Sequence, residues 1–212
     1  MTLDSFMKLV SQSRALLDPE HKQVLIDLVK EYVDLEQVLA WINDVRVEEN
    51  SERLDKLVSL MEIHPLGFEK YVLYDDQVLG NRARLHYWPQ NKWPFESIHD
   101  HRFNFCATVL CGHYIHEEYS VISSNGDSVD LKLTNKTIIN TGDVYYFTAG
   151  NFHRVLPSEE LTLSLILRGT AVLPFSRVID PEKKVMYKAL GAKSKFLANL
   201  QKIESDIRSK NT

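Results

Sequence analysis

The chain has 212 residues, of which 44% are hydrophobic and 25% are charged, a composition typical of an ordinary globular protein rather than a disordered or fibrous one. Its longest near-continuous apolar runs, such as 161–167, are far shorter than the ~20 residues that a membrane-spanning helix requires. Twenty-five basic and 29 acidic side chains give a net charge of −4, without the basic excess that nucleic-acid binding usually needs. We therefore expect no membrane span and no nucleic-acid partner.

The first residues and the cysteines indicate the compartment. No continuous apolar segment follows a basic cluster at the start, so no secretory signal is visible and a cytoplasmic location is expected. In a stretch that reads as extended, Cys106 and Cys111 would have Cα atoms about 16 Å apart, beyond the ~7 Å limit for a disulfide. We expect two free thiols.

Helical periodicity extends over residues 4–62 and predicts three or four helices. Asp18 and Pro19 are typical of a helix start, as N-cap and first helical residue. Asp34 is a candidate cap for the next helix, and apolar residues at helical spacing follow Ser51. We interpret residues 1–64 as a helical lobe that packs on the rest of the molecule and carries no chemistry.

Near residues 65–67 the apolar period changes from 3.6 to 2 and remains so for about a hundred residues. The predicted strands are 70–75, 82–88, 97–111, 113–121, 129–133, 136–139, 143–147, 152–156 and 160–168. Many short strands without helices between them indicate a sandwich or barrel of the jelly-roll kind. We assign residues 65–180 to this β-barrel domain and residues 181–212 to a C-terminal helical tail.

Three of the eight histidines stand in two short stretches that are difficult to explain by packing. Within a predicted strand, His99 and His101 would project from the same face about 7 Å apart, close enough to converge on one metal ion. His153 follows a turn marked by Gly142 and Gly150. We predict that His99, His101 and His153 bind a metal.

These stretches resemble the two motifs of the cupin superfamily, and the resemblance covers about residues 70–168. It implies a mainly β fold, a cupin jelly-roll β-barrel. In the first motif, a glutamate normally follows the His-x-His pair, and Phe105 stands at its place here, with Gly112 at the motif's glycine. In the second motif, Thr148 replaces a proline.

A cupin with three histidines and no glutamate is similar to the thiol dioxygenases, among them cysteine dioxygenase. Cys106 lies where animal-type members carry the cysteine that crosslinks to a tyrosine. However, the family has a strand with the sequence Ser-x-His-x-Tyr, and the corresponding residues here, 164–168, are Ser-Leu-Ile-Leu-Arg. The family's carboxylate-binding arginine corresponds approximately to Leu73. We therefore expect a relative that acts on a substrate other than free cysteine.

Three further side chains are candidate substrate contacts. If the leucines of strand 160–168 pack under the helices, Arg168 points into the barrel and pairs either with a substrate carboxylate or with a neighbouring acid. Arg84 and His86 lie on the more polar face of strand 82–88, which suits a ligand cavity. His113 and His116 have opposite parity, so at most one of them can face the metal, and a surface position is typical of such residues.

Three neutral imidazoles leave a divalent ion with its full charge, which favours an anionic substrate. We expect a mononuclear non-haem Fe(II) oxygenase that acts with O2 on a small thiol or carboxylate, with zinc or nickel as alternatives in purified material. Two other classes stay open: a metal-dependent isomerase, lyase or hydrolase, and a non-catalytic small-ligand-binding cupin. The sequence assigns no catalytic acid or base and no oligomeric state.

Overall fold

The computed structural model describes residues 1–47, 51–63, 68–88, 97–189, 200, 201 and 203. Its described part contains the α-helices α1 (Leu3–Ser13), α2 (Lys22–Tyr32), α3 (Leu35–Val47) and α4 (Glu52–Ser59). The predicted helix starts are confirmed: the side chain of Asp18 accepts the backbone N–H of Glu20, and Ser51 accepts that of Leu54. None of the described helices is both long enough and apolar enough to span a membrane.

Twelve strands lie in the described part of the chain, and all of their pairings are antiparallel. They are β1 (Glu62–Ile63), β2 (Glu69–Asp75), β3 (Arg82–Trp88), β4 (Ile98–His99), β5 (Phe105–Cys111), β6 (His113–Asn125), β7 (Ser128–Asn140), β8 (Val144–Phe147), β9 (Phe152–Pro157), β10 (Thr162–Arg168), β11 (Ser176–Asp180) and β12 (Val185–Ala189).

The strands form two sheets. The first has the order β1-β2-β3-β10-β5-β8, and the second, β11-β12-β7-β6-β9-β4, closes into a ring because β4 also pairs with β11. This arrangement confirms the predicted fold class, a mainly β jelly-roll fold with an N-terminal helical lobe.

The helices pack on the outer face of the first sheet. Phe6 and Trp41, stacked at 5.2 Å between ring centroids, are fully buried together with Leu165 and Leu167 of β10. The alternation of β10 thus directs its leucines to the lobe, as predicted, and turns Ser164 and Ile166 to the inside of the barrel. The lobe therefore fixes which face of β10 is available to a ligand.

Several predicted boundaries differ from the structure: strands 129–133 and 136–139 form one strand, β7, and β6 continues past the predicted residue 121. Strand 97–111 is divided into β4 and β5, with His101 between them. The hairpin of β11 and β12 joins the second sheet, so the barrel continues past residue 180, where the sequence predicted a helical tail. In that tail the structure describes only Leu200, Gln201 and Ile203, which are helical. The predicted strand onset at 65–67 also lies outside the described residues.

Candidate metal centre

The structure brings His99, His101 and His153 together. Their ligand nitrogens all lie within 4.8 Å of one another, and their ring centroids are 4.8 to 5.0 Å apart. The Nε2 atoms of His101 and His153 are 2.9 Å apart. Two nitrogens that each bind one ion at about 2.1 Å, at right angles, lie about 3 Å from each other. The three side chains therefore fit a single divalent ion.

Backbone pairing positions these histidines. His99 of β4 stands opposite His153 of β9 and, on its other side, opposite Val178 of β11. His101 lies beyond the end of β4, where its carbonyl accepts the backbone N–H of Gly150 at 3.0 Å. The convergence of His99 and His101 thus depends on a loop rather than on the alternation of one strand.

An ion pair holds that loop in place. The fully buried carboxylate of Asp100, between the two histidines, accepts Nε of Arg177 at 2.6 Å and the backbone N–H of the same residue at 2.5 Å. Arg177 also donates to the carbonyl of Gly150 at 2.9 Å. One guanidinium therefore joins the loop, β11 and the turn before β9.

Hydrogen bonds to the far ring nitrogens orient two of the imidazoles. Nδ1 of His99 lies 3.2 Å from the carbonyl of Ser97. A carbonyl only accepts, so this nitrogen carries the proton and Nε2 keeps its lone pair. Nδ1 of His153 lies 2.7 Å from Nε2 of His116. Both contacts are of the kind that holds metal-binding histidines in one tautomer.

Burial keeps the cluster uncharged. It lowers the pKa of His99, and it lowers the pKa of His101 and His153 well below the ordinary value, with neighbouring histidines adding to the effect. Burial also lowers the pKa of His116 to about 4. At neutral pH the imidazoles are therefore neutral, which is the form that binds a metal.

A cavity of about 450 Å³ opens onto the three histidines. Its cationic lining residues include Lys70 and Arg84, and its aromatic lining includes Phe68, Trp88, Phe103, Phe105, Tyr114 and Tyr145. The one carboxylate among the described lining residues, that of Asp100, is already bonded to Arg177. Neutral imidazoles and cationic side chains thus leave the cavity suited to an anion.

The three predicted substrate contacts separate into two groups. Arg84 and His86 line the cavity. Arg168 lies behind the lining: its guanidinium carbon is 4.8 Å from the centroid of Phe103, and Nη1 donates to the carbonyl of Gly169. Burial and the neighbouring arginines lower the pKa of Arg168 to about 9. Arg168 thus contacts Phe103, a lining residue of the cavity, but does not itself line the cavity.

Of the three positions at which the resemblance was informative, Phe105 faces the histidines, whereas Cys106 and Leu73 do not. Phe105 replaces the glutamate and faces the site, with its ring 5.1 Å from that of His101. Cys106 points the opposite way into the core under the helices, where burial raises the pKa of its thiol to about 12. Leu73 is buried in the same helix-facing core. Neither Cys106 nor Leu73 lies on the cavity side of the sheet.

His116 is a residue of the site whose position the sequence left open. A surface position is typical of such a histidine, yet His116 is 4% exposed and bonded to His153. The signal is the register of β6 on β9, which places His116 opposite Val155, a cavity residue two positions from His153. His113 and His116 do have opposite parity, but their sequence does not say which of them faces inward.

No protein-family model matches the chain, and no curated protein matches it either. Among solved structures, it is similar to an RmlC-like cupin protein from Ralstonia eutropha JMP134, with 14% identity, 68% of this chain and 81% of that chain covered, and a TM-score of 0.38.

Two enzymes are also among these structural neighbours. A DMSP lyase from Ruegeria pomeroyi DSS-3 has 15% identity over 51% of this chain and 50% of that chain, with a TM-score of 0.35. A hydroquinone 1,2-dioxygenase has 16% identity over 48% and 64%, with a TM-score of 0.34. Likenesses this distant concern the fold alone. The architecture of this chain is a mainly β one, with two antiparallel sheets and a cluster of three histidines.

Proposed function

We propose that the chain is a mononuclear non-haem Fe(II) oxygenase, of the thiol-dioxygenase-like kind, that acts on an anionic thiol or carboxylate. The observation that carries the proposal is the cluster of His99, His101 and His153 at a cavity with cationic lining. A bound Fe(II) ion would supply the open coordination positions at which oxygen and substrate meet. The remaining roles belong to side chains of this chain.

Charge supports an anionic substrate. The three histidines are neutral, so they offset none of the charge of a divalent ion, whereas Phe105 stands where a glutamate would offset one unit. Lys70 and Arg84 line the same cavity. In a cavity of low dielectric constant, a substrate thiolate or carboxylate is strongly favoured beside these charges.

Arg84 and His86 are the side chains placed to orient the substrate, since both line the cavity. Arg84 and Arg168 both lie over the ring of Phe103, at 5.9 and 4.8 Å from its centroid, and burial and the charge of Arg84 together lower the pKa of Arg168. Free cysteine is expected to be a poor substrate, since the residue near the family's carboxylate-binding arginine is Leu73, which faces the helices.

The test is oxygen uptake by protein reconstituted with Fe(II) without air, against a panel of thiols and carboxylates that includes free cysteine. We expect iron-dependent uptake with at least one acid or thiol other than cysteine. Full turnover with zinc in the absence of oxygen would instead establish a lyase, isomerase or hydrolase. Binding without turnover under either condition would establish a binding protein.

Metal content tests the site itself. Single replacement of His99, His101 or His153 by Ala is expected to leave a folded protein with well below one equivalent of metal, because each removes one of three ligands. The matched control is His113→Ala, which changes a partly exposed histidine on β6. Wild-type metal content in all three single variants would contradict the site.

A further inference from the structure

Four rings form one continuous side of the cavity, here called the aromatic wall: Phe68, Trp88, Tyr114 and Tyr145. Phe68 and Trp88 are stacked at 5.0 Å, and Trp88 lies 5.8 Å from Tyr114. The hydroxyl groups of Tyr114 and Tyr145 are 3.0 Å apart. Each ring therefore contacts the next while also facing the cavity.

The aromatic wall continues to the metal centre. The ring of Tyr145 lies 6.0 Å from that of Phe105, which in turn lies 5.1 Å from His101. A molecule bound to the three histidines can therefore extend along the wall without leaving the cavity. The cavity thus has a charged region beside the histidines and an aromatic region that adjoins it.

The volume of the cavity indicates the size of the ligand that would fill it. Its volume of about 450 Å³ corresponds to about 15 water molecules at their liquid volume of about 30 Å³ each. It also falls within the range of about 300–1,000 Å³ that is usual for sites that enclose drug-sized ligands. An amino-acid-sized thiol with its anion at the histidines would leave the aromatic wall uncovered.

We propose that the substrate is an aromatic acid: its anionic group binds at the three histidines and Arg84, and its aryl ring packs against the aromatic wall. The inference rests on the proposed function for the position of the anionic group. The ring contacts are a separate claim, because two aromatic rings in offset or edge-to-face contact gain more than the burial of their area alone provides. The wall is therefore expected to select a ring and not merely an apolar group.

The experiment measures binding by calorimetry to zinc-loaded and to metal-free protein, with propionate, 3-cyclohexylpropionate and 3-phenylpropionate as probes. Burying a phenyl ring of about 100 Å² is expected to make 3-phenylpropionate bind roughly 30- to 100-fold more tightly than propionate. The aryl acid is expected to bind about three- to tenfold more tightly than the cyclohexyl acid. Equal affinity of all three acids, or of the two ring compounds, would overturn the proposal.

Substitutions in the aromatic wall test where the aryl ring of 3-phenylpropionate binds. Trp88→Leu and Tyr145→Leu are expected to weaken 3-phenylpropionate about three- to tenfold and to leave propionate unchanged. Tyr145→Phe, which keeps the ring, should retain the wild-type preference. Tyr32→Leu, in α2 of the lobe, is the control for loss of an aromatic residue elsewhere. An equal loss for both acids in Trp88→Leu and Tyr145→Leu would contradict the proposal.

Because zinc is redox-inert, this series does not depend on oxygen chemistry. If the protein prefers the aryl acid but consumes no oxygen, the aromatic subsite is supported and the oxygenase proposal is wrong. If it consumes oxygen with small thiols but does not prefer the aryl acid, the oxygenase proposal is supported and the aromatic subsite is wrong.

Discussion

The contact between His116 and His153 joins two buried imidazoles, each less than 5% exposed. When Nε2 of His153 binds a metal, its Nδ1 carries a proton, and Nε2 of His116 is the acceptor placed to receive it. The low pKa of His116, about 4 because of burial, keeps that acceptor uncharged at neutral pH. His116 thus lies where it can hold the ring of His153 in the orientation that a metal ion requires.

We expect His116→Ala to weaken metal binding about 10- to 100-fold, the usual effect of removing such a partner. Competition with a chromophoric chelator measures the affinity, and circular dichroism establishes that the fold is retained. His116→Gln, whose amide oxygen can accept the same proton, should recover part of the loss, and His113→Ala should show none. An unchanged affinity in His116→Ala would remove the positioning role.

At the residue scale the sequence predicted the three histidines correctly as a cluster, but not the reason for it. His99 and His101 were expected to share a strand face, whereas His101 follows β4 in a loop that Asp100 ties to Arg177. That ion pair joins residues 77 positions apart, so no local pattern contains it. The burial of His116 likewise depends on pairing with a strand that is distant in sequence.

Among the elements, the hairpin of β6 and β7 carries a buried carboxylate at its base. Glu117 is 3% exposed and lies in register with Lys136 of β7 and Arg154 of β9. Nε of Arg154 and the hydroxyl of Tyr119 each lie 2.6 Å from its Oε2. Burial raises the pKa of Glu117, but hydrogen bonds from Tyr119, Arg154 and Lys136 outweigh it and lower the pKa to about 2.

This shift predicts a dependence of stability on pH. The folded-state pKa is lowered, so the stabilisation is fully present above the ordinary value near 4.5 and is lost as pH falls towards 2. Glu117→Gln should therefore lower the free energy of unfolding by about 3 kcal/mol at pH 7, and the gap to wild type should narrow to less than half at pH 3.

Urea unfolding of metal-free protein at the two pH values measures this gap. Glu118→Gln, on the same strand, removes a carboxylate without touching the pair with Arg154 and should leave the pH profile as in wild type. A gap between Glu117→Gln and wild type that stays constant from pH 7 to pH 3 would show that the pKa of this carboxyl group is the same in the folded and the unfolded protein.

At the element scale the periodicity predicted most strands, and the division of strand 97–111 has a tertiary cause. The predicted strand 97–111 is interrupted near Asn104, whose side chain accepts the N–H of Ala149 and donates to the carbonyls of Leu16 and Leu17. These partners belong to the lobe and to the turn before β9. Contacts with distant segments thus interrupt the strand near Asn104, although the alternation of apolar residues in the sequence continues through this position.

On the scale of the whole molecule, lobe and barrel are joined by backbone groups as well as by apolar packing. The hydroxyl of Tyr146 donates to the carbonyl of Ala15 at 2.6 Å, and the side chain of Asn81 donates to Ser11 at 2.9 Å. Gly169 lies so close to the lobe that a Cβ there would be 2.4 Å from the carbonyl oxygen of Leu16. The absence of a side chain at this position allows the lobe to sit on the sheet.

Gly169→Ala is therefore expected to destabilise the protein by about 2 kcal/mol, because the new methyl group pushes backbone against backbone. For a chain of this length, that corresponds to a fall in Tm of about 4–8 °C, measured by calorimetry. Gly126→Asn is the control, since a Cβ at Gly126 meets nothing within 4 Å and asparagine tolerates its φ of +60°. Equal Tm values for Gly169→Ala and wild type would mean that the lobe does not rest on this glycine.

The closure of the second sheet has a consequence for biosynthesis. β4 carries His99, but its partners are β9 and β11, and the β11 partners Val178 and Ile179 lie about 80 positions further along the chain. A ribosome adds about 5–20 residues per second from the N-terminus, so His99 and His101 leave the exit tunnel well before the strands that enclose them. The three histidines can therefore come together only after β9, which carries His153, has been synthesised, and β4 gains its second partner only with β11.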